Sequence, residues 1–533
     1  MSDWLTDAEC LIALVLLGLS LPALALAYGR AHRVWIEDQA LRKVVLGATL
    51  LAAVLRWLIF PRWIATMYIG YIATERAIEL SAASHYGVGS QSLYHALFAF
   101  LPRDHRTLMW INAVLGVLAV PLFGTFVAGV LRDRRAGAIA ALLLAAVPLF
   151  VRNDNSDANN VPCLLWLTGG LALWIEALKD GDREALAGSF VLLILGGIGR
   201  PEMPVLVPLW AIATTLLAEK KHDPLRDRAV WIGLAVAAIL VVPHAIHVRG
   251  ATAHLSETGN LPSYGRFGLG ELGRGLWRYN TVLWPSLFPI ALPIAALGAF
   301  VVRDRKQLAA RLFLLAVTIF SIGLYMVDLC RANMARVHVP GAMLAVVLAS
   351  AGLSLAWEKL PGKMPRALLV LAVIGSAIPT GVMLWKPTNE QAEEDFLQEA
   401  LPRLPLRDRF TLVRIAREDR VGSDATHFHF PDYLLHPPVA EGRVSSIRDF
   451  MAEPDFASPA YFYLGMRCYA DFRDEGTPPP AGTHEQPACA KMRERFTLTP
   501  VIEKDLPNRG DVWLDYYGDA PTFHLGLYKI QPR

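Results

Sequence analysis

The sequence has little charge for its length. Of its 533 residues only 19% are Asp, Glu, Lys or Arg, whereas 54% are hydrophobic; soluble globular proteins carry charge on about a quarter of their residues. The mean hydropathy is +0.36, and several apolar runs of roughly 18 to 20 residues are long enough to cross a bilayer core of about 30 Å. The net charge of +3 is small and gives no electrostatic basis for binding nucleic acid. The sequence therefore predicts a multi-span membrane protein.

Common catalytic motifs are also missing, and the chain has few cysteines. The sequence contains no P-loop, GxSxG, HExxH or paired CxxC motif, so none of the chemistries these motifs carry is indicated. Of the five cysteines, Cys10, Cys163 and Cys330 lie in or beside apolar segments and are predicted to be small buried hydrophobes. Cys468 and Cys489 flank a loop rich in Pro and Gly, and in an oxidising compartment they are predicted to form a structural disulfide.

Hydropathy along the chain predicts about twelve membrane-spanning helices within residues 1–386. The first is predicted to be a retained span, because its leading segment MSDWLTDAE is acidic whereas a signal peptide needs a basic one. The predicted spans are 10–28, 44–60, 107–131, 136–151, 159–178, 186–198, 203–218, 229–248, 283–302, 312–327, 338–357 and 367–385.

Lysine and arginine are unevenly divided between the two sets of alternate loops. The set 29–43, 132–135, 179–183, 219–228, 303–311 and 358–366 holds 20 of them in 52 positions, whereas the other set holds 12 in 111 positions. Because short basic loops stay in the cytoplasm, the first set is predicted to be cytoplasmic. The second set is predicted to face outward, and its main members are 61–106, 152–158, 249–282 and 328–337.

Residues 387–533 differ in composition from the rest of the chain. They are charged and rich in proline, and RFTLVRIA, AYFYLGMRCYA and HLGLYKI have the alternation typical of strands. About 145 residues suffice for one small α/β domain. We therefore expect a polytopic α-helical protein of the bacterial cytoplasmic membrane with a C-terminal α/β domain in the periplasm.

The first long outer loop, 61–106, begins with helical spacing. Tyr68, Tyr71, Glu75 and Glu79 fall on roughly one face of such a helix, with isoleucines around it. A helix that lies along the membrane surface with a solvated face accounts for this pattern, and so does a face that contacts substrate.

The second outer loop is the stretch FVRNDNSDANNVP, which is polar between two apolar segments. Asp154 and Asp157 are three residues apart and would point the same way on one helical turn. Carboxylates at a membrane surface are costly unless they are paired, hydrated or functional. The alternative is an ordinary polar turn in which Asp157 or Asn155 caps the next helix.

Basic residues stand in two further outer segments. In GGIGRPEMP, Arg200 and Glu202 flank a proline at the outer end of a span and could pair with each other. In DLCRANMARVHVPGAML, Arg331, Arg336 and His338 precede a span, where a guanidinium can fork onto a phosphate or form an interfacial ion pair. Acids in one outer loop and arginines in another suit a reaction at the membrane surface, with the acids activating a hydroxyl and the cations holding a phosphate leaving group.

The span layout from about 44 to 386 resembles that of GT-C integral-membrane glycosyltransferases that use polyprenyl-phosphate donors. The similar branch is the protein O-mannosyltransferase and lipid A aminoarabinose transferase type. Four stretches carry the resemblance by their order and sidedness: YGVGSQSLYHAL, RNDNSDANNVP, GRPE and RANMARVHVPGAMLAVVLASAGL. The resemblance implies that a sugar moves from an undecaprenyl- or other polyprenyl-linked phosphate to a glycan, lipid or protein acceptor at the outer face, usually with inversion.

The resemblance also implies roles for the candidate residues. A carboxylate would act as base on the acceptor, and basic side chains would receive the lipid phosphate. Relatives place an Asp early in the first outer loop, but residues 61–74 contain no acid; either the base has moved, or a second-loop acid serves, or activity is altered or lost. The implied residues are, as catalytic acids, Asp157, Asp154, Glu75 and Glu79; as phosphate ligands, Arg336, Arg331, His338 and Arg200; and as substrate contacts, Tyr68, Tyr71, Glu202, Gln91 and Tyr94.

Two other functions remain open at this stage. A transporter or flippase of lipid-linked saccharides would favour ionisable residues deep within spans and internal repeats; Arg56 is the clear charge of that kind, and no repeat is evident. A catalytically silent relative would explain the missing early Asp. Some relatives use a divalent cation, and here Mg²⁺ or Mn²⁺ would be held by Asp154 and Asp157.

Overall fold

The structure is a computed structural model. It describes residues 3–60, 105–156, 161–200, 202–221, 223–257, 288–302, 304–323, 338–384, 389–406, 408–415, 419, 443–469, 485–507 and 522–533.

The described part of residues 3–384 is helical, and each predicted span falls wholly or partly on a helix. By length and composition four of the described helices can cross a membrane, and the number rises to five if two helices that meet at a bend of 57° form one span. The total of twelve crossings stays a prediction. The helices are α1 (Asp3–Ile36), α2 (Gln39–Val54, continued by a π-helical turn, Leu55–Ile59), α3 (His105–Leu131), α4 (Arg134–Ala146), α5 (Pro148–Asp154), α6 (Val161–Asp180), α7 (Arg183–Gly197), α8 (Met203–Leu217), α9 (Arg228–Glu257), α10 (Ala291–Leu297), α11 (Arg305–Gly323), α12 (Val339–Lys359) and α13 (Lys363–Leu384).

Small residues allow neighbouring helices to approach closely. A Cβ on Gly137 of α4 would lie 2.5 Å from the backbone oxygen of Gly124 on α3, and one on Gly352 of α12 would lie 1.7 Å from that of Ala295 on α10. Backbone contact of this kind is typical of helix interfaces in membranes, where the lipid tails are as apolar as leucine. Large apolar residues are exposed on the outside of the bundle, as a lipid-facing surface requires; they include Leu50, Ile239 and Leu371.

Polar contacts join the loops that were predicted to be cytoplasmic. These loops connect different pairs of helices, so contacts between them show that they lie at one end of the bundle. The positive-inside pattern of the sequence therefore corresponds to a real end of the molecule. The contacts between loops join four of the six and are Arg30 to Asp182, Arg134 to Glu37 and Arg183 to Asp227; in addition Ser354, near the end of α12, donates to Asp133.

The C-terminal region forms an α/β domain with a hydrophobic core of its own. Its strands are β1 (Thr411–Arg414), β2 (Val444–Ser446), β3 (Ala460–Leu464), β4 (Phe496–Pro507) and β5 (Thr522–Pro532), and its helices are α14 (Asn389–Ala400), α15 (Ile447–Ala452) and α16 (Pro487–Arg495). The sheet order is β2-β1-β3-β5-β4; β1 is parallel to both neighbours, whereas β5 is antiparallel to β3 and β4. The three stretches predicted to be strands supply β1, β3 and β5.

The two faces of this sheet are covered by different helices. Phe396 and Leu397 of α14 pack on one face, whereas Phe450 of α15 and Met492 of α16 pack on the other. The predicted disulfide between Cys468 and Cys489 is present, with the two Cα atoms 5.8 Å apart. It ties the short helix after β3 to α16 and therefore closes the loop between them.

Candidate active site

The polar stretch after the bend lies inside the protein. Arg152, Asn153, Asp154, Asn155 and Ser156 are each at most 4% exposed. Asn153 accepts a hydrogen bond from the Ser156 hydroxyl, Asn155 donates to the backbone oxygen of Phe60, and Ser156 O accepts from Asn112 of α3. A solvated turn would leave these groups in water, so their burial and pairing indicate a built polar site. We call residues 152–156 the polar break.

Asp154 is held by an arginine from another helix. The Arg56 guanidinium, fully buried at the end of α2, donates from Nε and Nη2 to Asp154 Oδ2 at 2.9 and 2.6 Å. Hydrogen bonds between two ionised groups are about twice as strong as neutral ones. A buried ion pair tolerates desolvation only when its remaining donors and acceptors are also satisfied.

The bend between α4 and α5 satisfies the remaining donors of Arg56. Pro148 has no N–H, so the carbonyl of Leu144 has no helical partner, and the bend removes the partner of the Ala145 carbonyl as well. Arg56 donates to both of these oxygens, at 3.3 and 2.9 Å. The arginine therefore closes the broken helix and anchors Asp154 with the same fork.

A glycine makes room for the carboxylate. A Cβ on Gly116 of α3 would lie 2.2 Å from Asp154 Oδ2, a distance that no side chain could accept without moving the aspartate. The elements α2, α3, α4 and α5 thus converge on Asp154.

This geometry changes the reading of Asp154 as a base or metal ligand. Its Oδ2 is engaged twice by Arg56, and Asn153 approaches Oδ1 at 3.4 Å. A guanidinium at 2.6 Å repels a cation and competes with a hydroxyl for that oxygen, so this contact favours a structural role for Asp154, and its roles as base and metal ligand stay predictions. Among the residues that the structure describes, no group of three or more His, Cys, Asp or Glu side chains could hold a metal ion.

The second pair lies between α7 and α8. Arg200 Nε donates to Glu202 Oε1 at 2.5 Å, and both side chains are less than 10% exposed. The pairing that the sequence suggested is therefore present. Gly199, just before Arg200, packs so closely on the start of α6 that its Cβ would meet the Cys163 sulfur at 2.0 Å. The turn therefore packs on α6, the helix that follows the polar break in the chain.

His338 is buried and directly precedes α12. Helix α12 packs against α4 and α5, so the segment predicted to bind phosphate leads into a neighbour of the polar break. The other predicted site residues lie outside the described part of the chain. They are Asp157, Glu75, Glu79, Arg331, Arg336, Tyr68, Tyr71, Gln91 and Tyr94.

A buried hydrogen bond between a histidine and a glutamate, which the sequence reasoning missed, joins α1 and α9. His244 Nδ1 and Glu9 Oε1 are 2.8 Å apart, and both side chains are at most 2% exposed. The signal was a histidine inside a predicted span, but its partner is 235 residues away in the chain, and hydropathy does not show which spans are neighbours.

The chain was compared with known protein families and solved structures. Residues 90–247 match the dolichyl-phosphate-mannose-protein mannosyltransferase family. One similar structure is that of ArnT from Cupriavidus metallidurans bound to undecaprenyl phosphate. The superposition covers 92% of this chain and 97% of the ArnT chain, with a TM-score of 0.50 and 12% sequence identity. The chain has the GT-C fold. At this identity the similarity speaks for the fold alone.

Two further GT-C structures come from Archaeoglobus fulgidus. Its oligosaccharyltransferase in the apo form is 16% identical in sequence, and the superposition covers 77% of this chain and 65% of the oligosaccharyltransferase chain, with a TM-score of 0.46. Oligosaccharyltransferase AglB with an inhibitory peptide and a dolichol-phosphate is 14% identical, covers 81% and 70%, and has a TM-score of 0.45. The chain thus spans slightly less than two thirds of the first of these proteins. No curated protein matches the chain by sequence.

Proposed function

We propose that the protein transfers a sugar from a polyprenyl-phosphate-linked donor to an acceptor at the outer face of the bacterial cytoplasmic membrane. The observation that carries the proposal is the extent of the family match, because residues 90–247 include both the polar break and the Arg200–Glu202 turn. That family is described by a dolichyl-phosphate donor, and ArnT, which shares the fold, binds undecaprenyl phosphate. The shared chemistry is a sugar or phosphate on a polyprenyl carrier.

The charges of the site fit the leaving group of this reaction. The departing lipid phosphate gains negative charge, which Arg336 and Arg331 would stabilise by forked hydrogen bonds. His338, at the start of a helix packed on the polar break, would lie on the same side. The acceptor hydroxyl attacks the anomeric carbon from the face opposite the phosphate, so the configuration inverts.

The remaining predicted residues have proposed roles in catalysis, in positioning the polar break and in contacting the substrates. Asp157 directly follows the polar break and stands with Glu75 and Glu79 as a candidate catalytic carboxylate, whereas Asp154 positions the polar break through Arg56. The aromatic and amide side chains of the first outer loop would contact the sugar or acceptor; they are Tyr68, Tyr71, Gln91 and Tyr94.

The outer placement of the site has two supports. The basic loops join at the opposite end of the bundle, and loops of that composition stay in the cytoplasm. The C-terminal domain carries a disulfide, which persists in the periplasm and is rare in the cytosol.

The test is a transfer assay with the purified full-length protein, polyprenyl-phosphate sugars and a panel of candidate acceptors, with Mg²⁺, with Mn²⁺ or with a chelator. We expect a glycosylated product and free polyprenyl phosphate. Asp157→Asn and Arg336→Ala should each lower the rate by at least about 10²-fold, the loss typical of removing an acid–base or charge-stabilising group.

The control for these variants is Lys220→Gln, which changes a charge at the opposite end of the bundle and should leave the rate unchanged. All variants are compared by thermal unfolding in detergent. Wild-type rates in both site variants would remove those residues from the mechanism. Movement of the lipid-linked sugar across vesicles without any covalent product would replace the transferase with a transporter.

A further inference from the structure

The carboxylate of Glu202 has one oxygen without a hydrogen-bond partner among the residues that the structure describes. Glu202 Oε1 accepts from Arg200, whereas Glu202 Oε2 is buried and has no hydrogen-bond partner among the residues that the structure describes. A buried carboxylate oxygen without a donor costs free energy that proteins rarely tolerate without a use. A carboxylate only accepts hydrogen bonds, so the missing partner is an O–H or N–H group.

The backbone around Glu202 does not use this oxygen. Glu202 is the N-cap residue of α8, the position from which a side chain commonly accepts from the first helical N–H groups. Here no such side-chain bond is formed. Only the backbone oxygen of Glu202 accepts helical bonds, from Val205 and Leu206. One carboxylate oxygen of Glu202 thus accepts a hydrogen bond from Arg200, and the other has no donor among the residues that the structure describes.

The turn packs on two helices that border the polar break. Gly199 is packed on Cys163 at the start of α6, a few residues after the polar break, and α8 packs against α3. Helix α3 carries Asn112, which binds the polar break. Asp154 has its own carboxylate taken up by Arg56, so of these two acids Glu202 is the one with an open acceptor.

We propose that Glu202 is the proton acceptor of the transfer reaction, with Arg200 as the positioning residue that holds its carboxylate. This inference rests on the proposed function. The proton of the acceptor hydroxyl moves to Glu202 Oε2 while the hydroxyl oxygen forms a bond to the anomeric carbon. The bond from that carbon to the phosphate oxygen breaks, and its electron pair leaves with the polyprenyl phosphate. Glu202 would thus be the base of the reaction. It would replace the aspartate that relatives place early in the first outer loop, where residues 61–74 of this chain contain no acid.

The experiment compares wild type with Glu202→Gln, which keeps the shape and removes the basic oxygen. The substrates are an acceptor that the wild type uses and its analogue with fluorine beside the reacting hydroxyl, which makes that hydroxyl more acidic. We expect kcat/KM to fall by at least about 10²-fold with the ordinary acceptor and by clearly less with the fluorinated one. Binding of undecaprenyl phosphate should stay within about threefold, since a base on the acceptor side does not hold the donor.

A merely structural role predicts equal losses for both acceptors, and that result overturns the proposal, as does a Glu202→Gln rate within about threefold of wild type. Glu202→Asp provides the second variant, because it keeps the ion-pairing charge and withdraws the oxygen by one methylene. It should be stable and still show the smaller loss with the fluorinated acceptor. Absence of any transfer by the wild type would refute the proposed function itself, whereas wild-type transfer with unaffected variants would refute only the role of Glu202.

Discussion

Arg56 is a full positive charge in the interior of the helical bundle, and its contacts explain how it is tolerated. It neutralises Asp154 and supplies donors to the Leu144 and Ala145 carbonyls that the bend at Pro148 leaves open. Removing one partner of such a pair leaves a buried charge alone, which costs about 3–5 kcal/mol, whereas neutralising both partners costs much less.

Arg56→Gln should therefore lower the free energy of unfolding by about 3–5 kcal/mol. The double variant Arg56→Gln/Asp154→Asn should recover at least half of that loss, since an amide can still donate to the freed carbonyls. Thermal unfolding of the two purified variants in the same detergent measures the difference.

The double variant also separates positioning from catalysis. If Asp154 only holds the polar break, transfer in Arg56→Gln/Asp154→Asn stays within about tenfold of wild type, because no proton acceptor has been removed. A double variant that is stable but inactive would restore Asp154 as the base.

At the scale of secondary-structure elements, the sequence predicted where the helices lie better than it predicted which helices pack against each other. Runs of apolar residues located the helices, and strand alternation located β1, β3 and β5, because both signals are local. The bend at Pro148 and the contacts of Arg56 depend on which helices pack together, 98 residues apart in the case of Asp154. The polar break was noticed from its composition, but its burial, which distinguishes a built site from a hydrated turn, appears only in the folded bundle.

Two peripheral helices are joined by a buried hydrogen bond between a histidine and a glutamate. Helices α1 and α9 expose much of their apolar surface, and Glu9 and His244 join them at 2.8 Å. Single substitutions Glu9→Leu and His244→Leu should each destabilise the protein, whereas the double variant should be close to neutral, giving a coupling energy of about 0.5–3 kcal/mol. A thermal-unfolding cycle of the four proteins measures it. Additive losses would show that the pair does not link the helices.

For the whole molecule, the account requires that the two ends of the bundle face different compartments. One end gathers the basic loops and their ion pairs, and the other carries the polar break and the Arg200–Glu202 turn. In the proposed orientation, a lipid-linked donor at the outer leaflet reaches only the second end. The orientation was predicted from loop charge and stays a prediction, whereas the structure shows that basic loops contact one another at one end of the bundle.

The most direct measurement is the labelling of single cysteines in spheroplasts with a membrane-impermeant maleimide. The background replaces Cys10, Cys163 and Cys330 by alanine and keeps the native disulfide, and the probes are Glu219→Cys in a basic loop and Glu494→Cys in the C-terminal domain, both exposed positions. The account predicts that the probe at position 494 reacts in intact spheroplasts and that the one at position 219 reacts only after permeabilisation. The opposite pattern would place the site on the cytoplasmic side and contradict the proposed reaction.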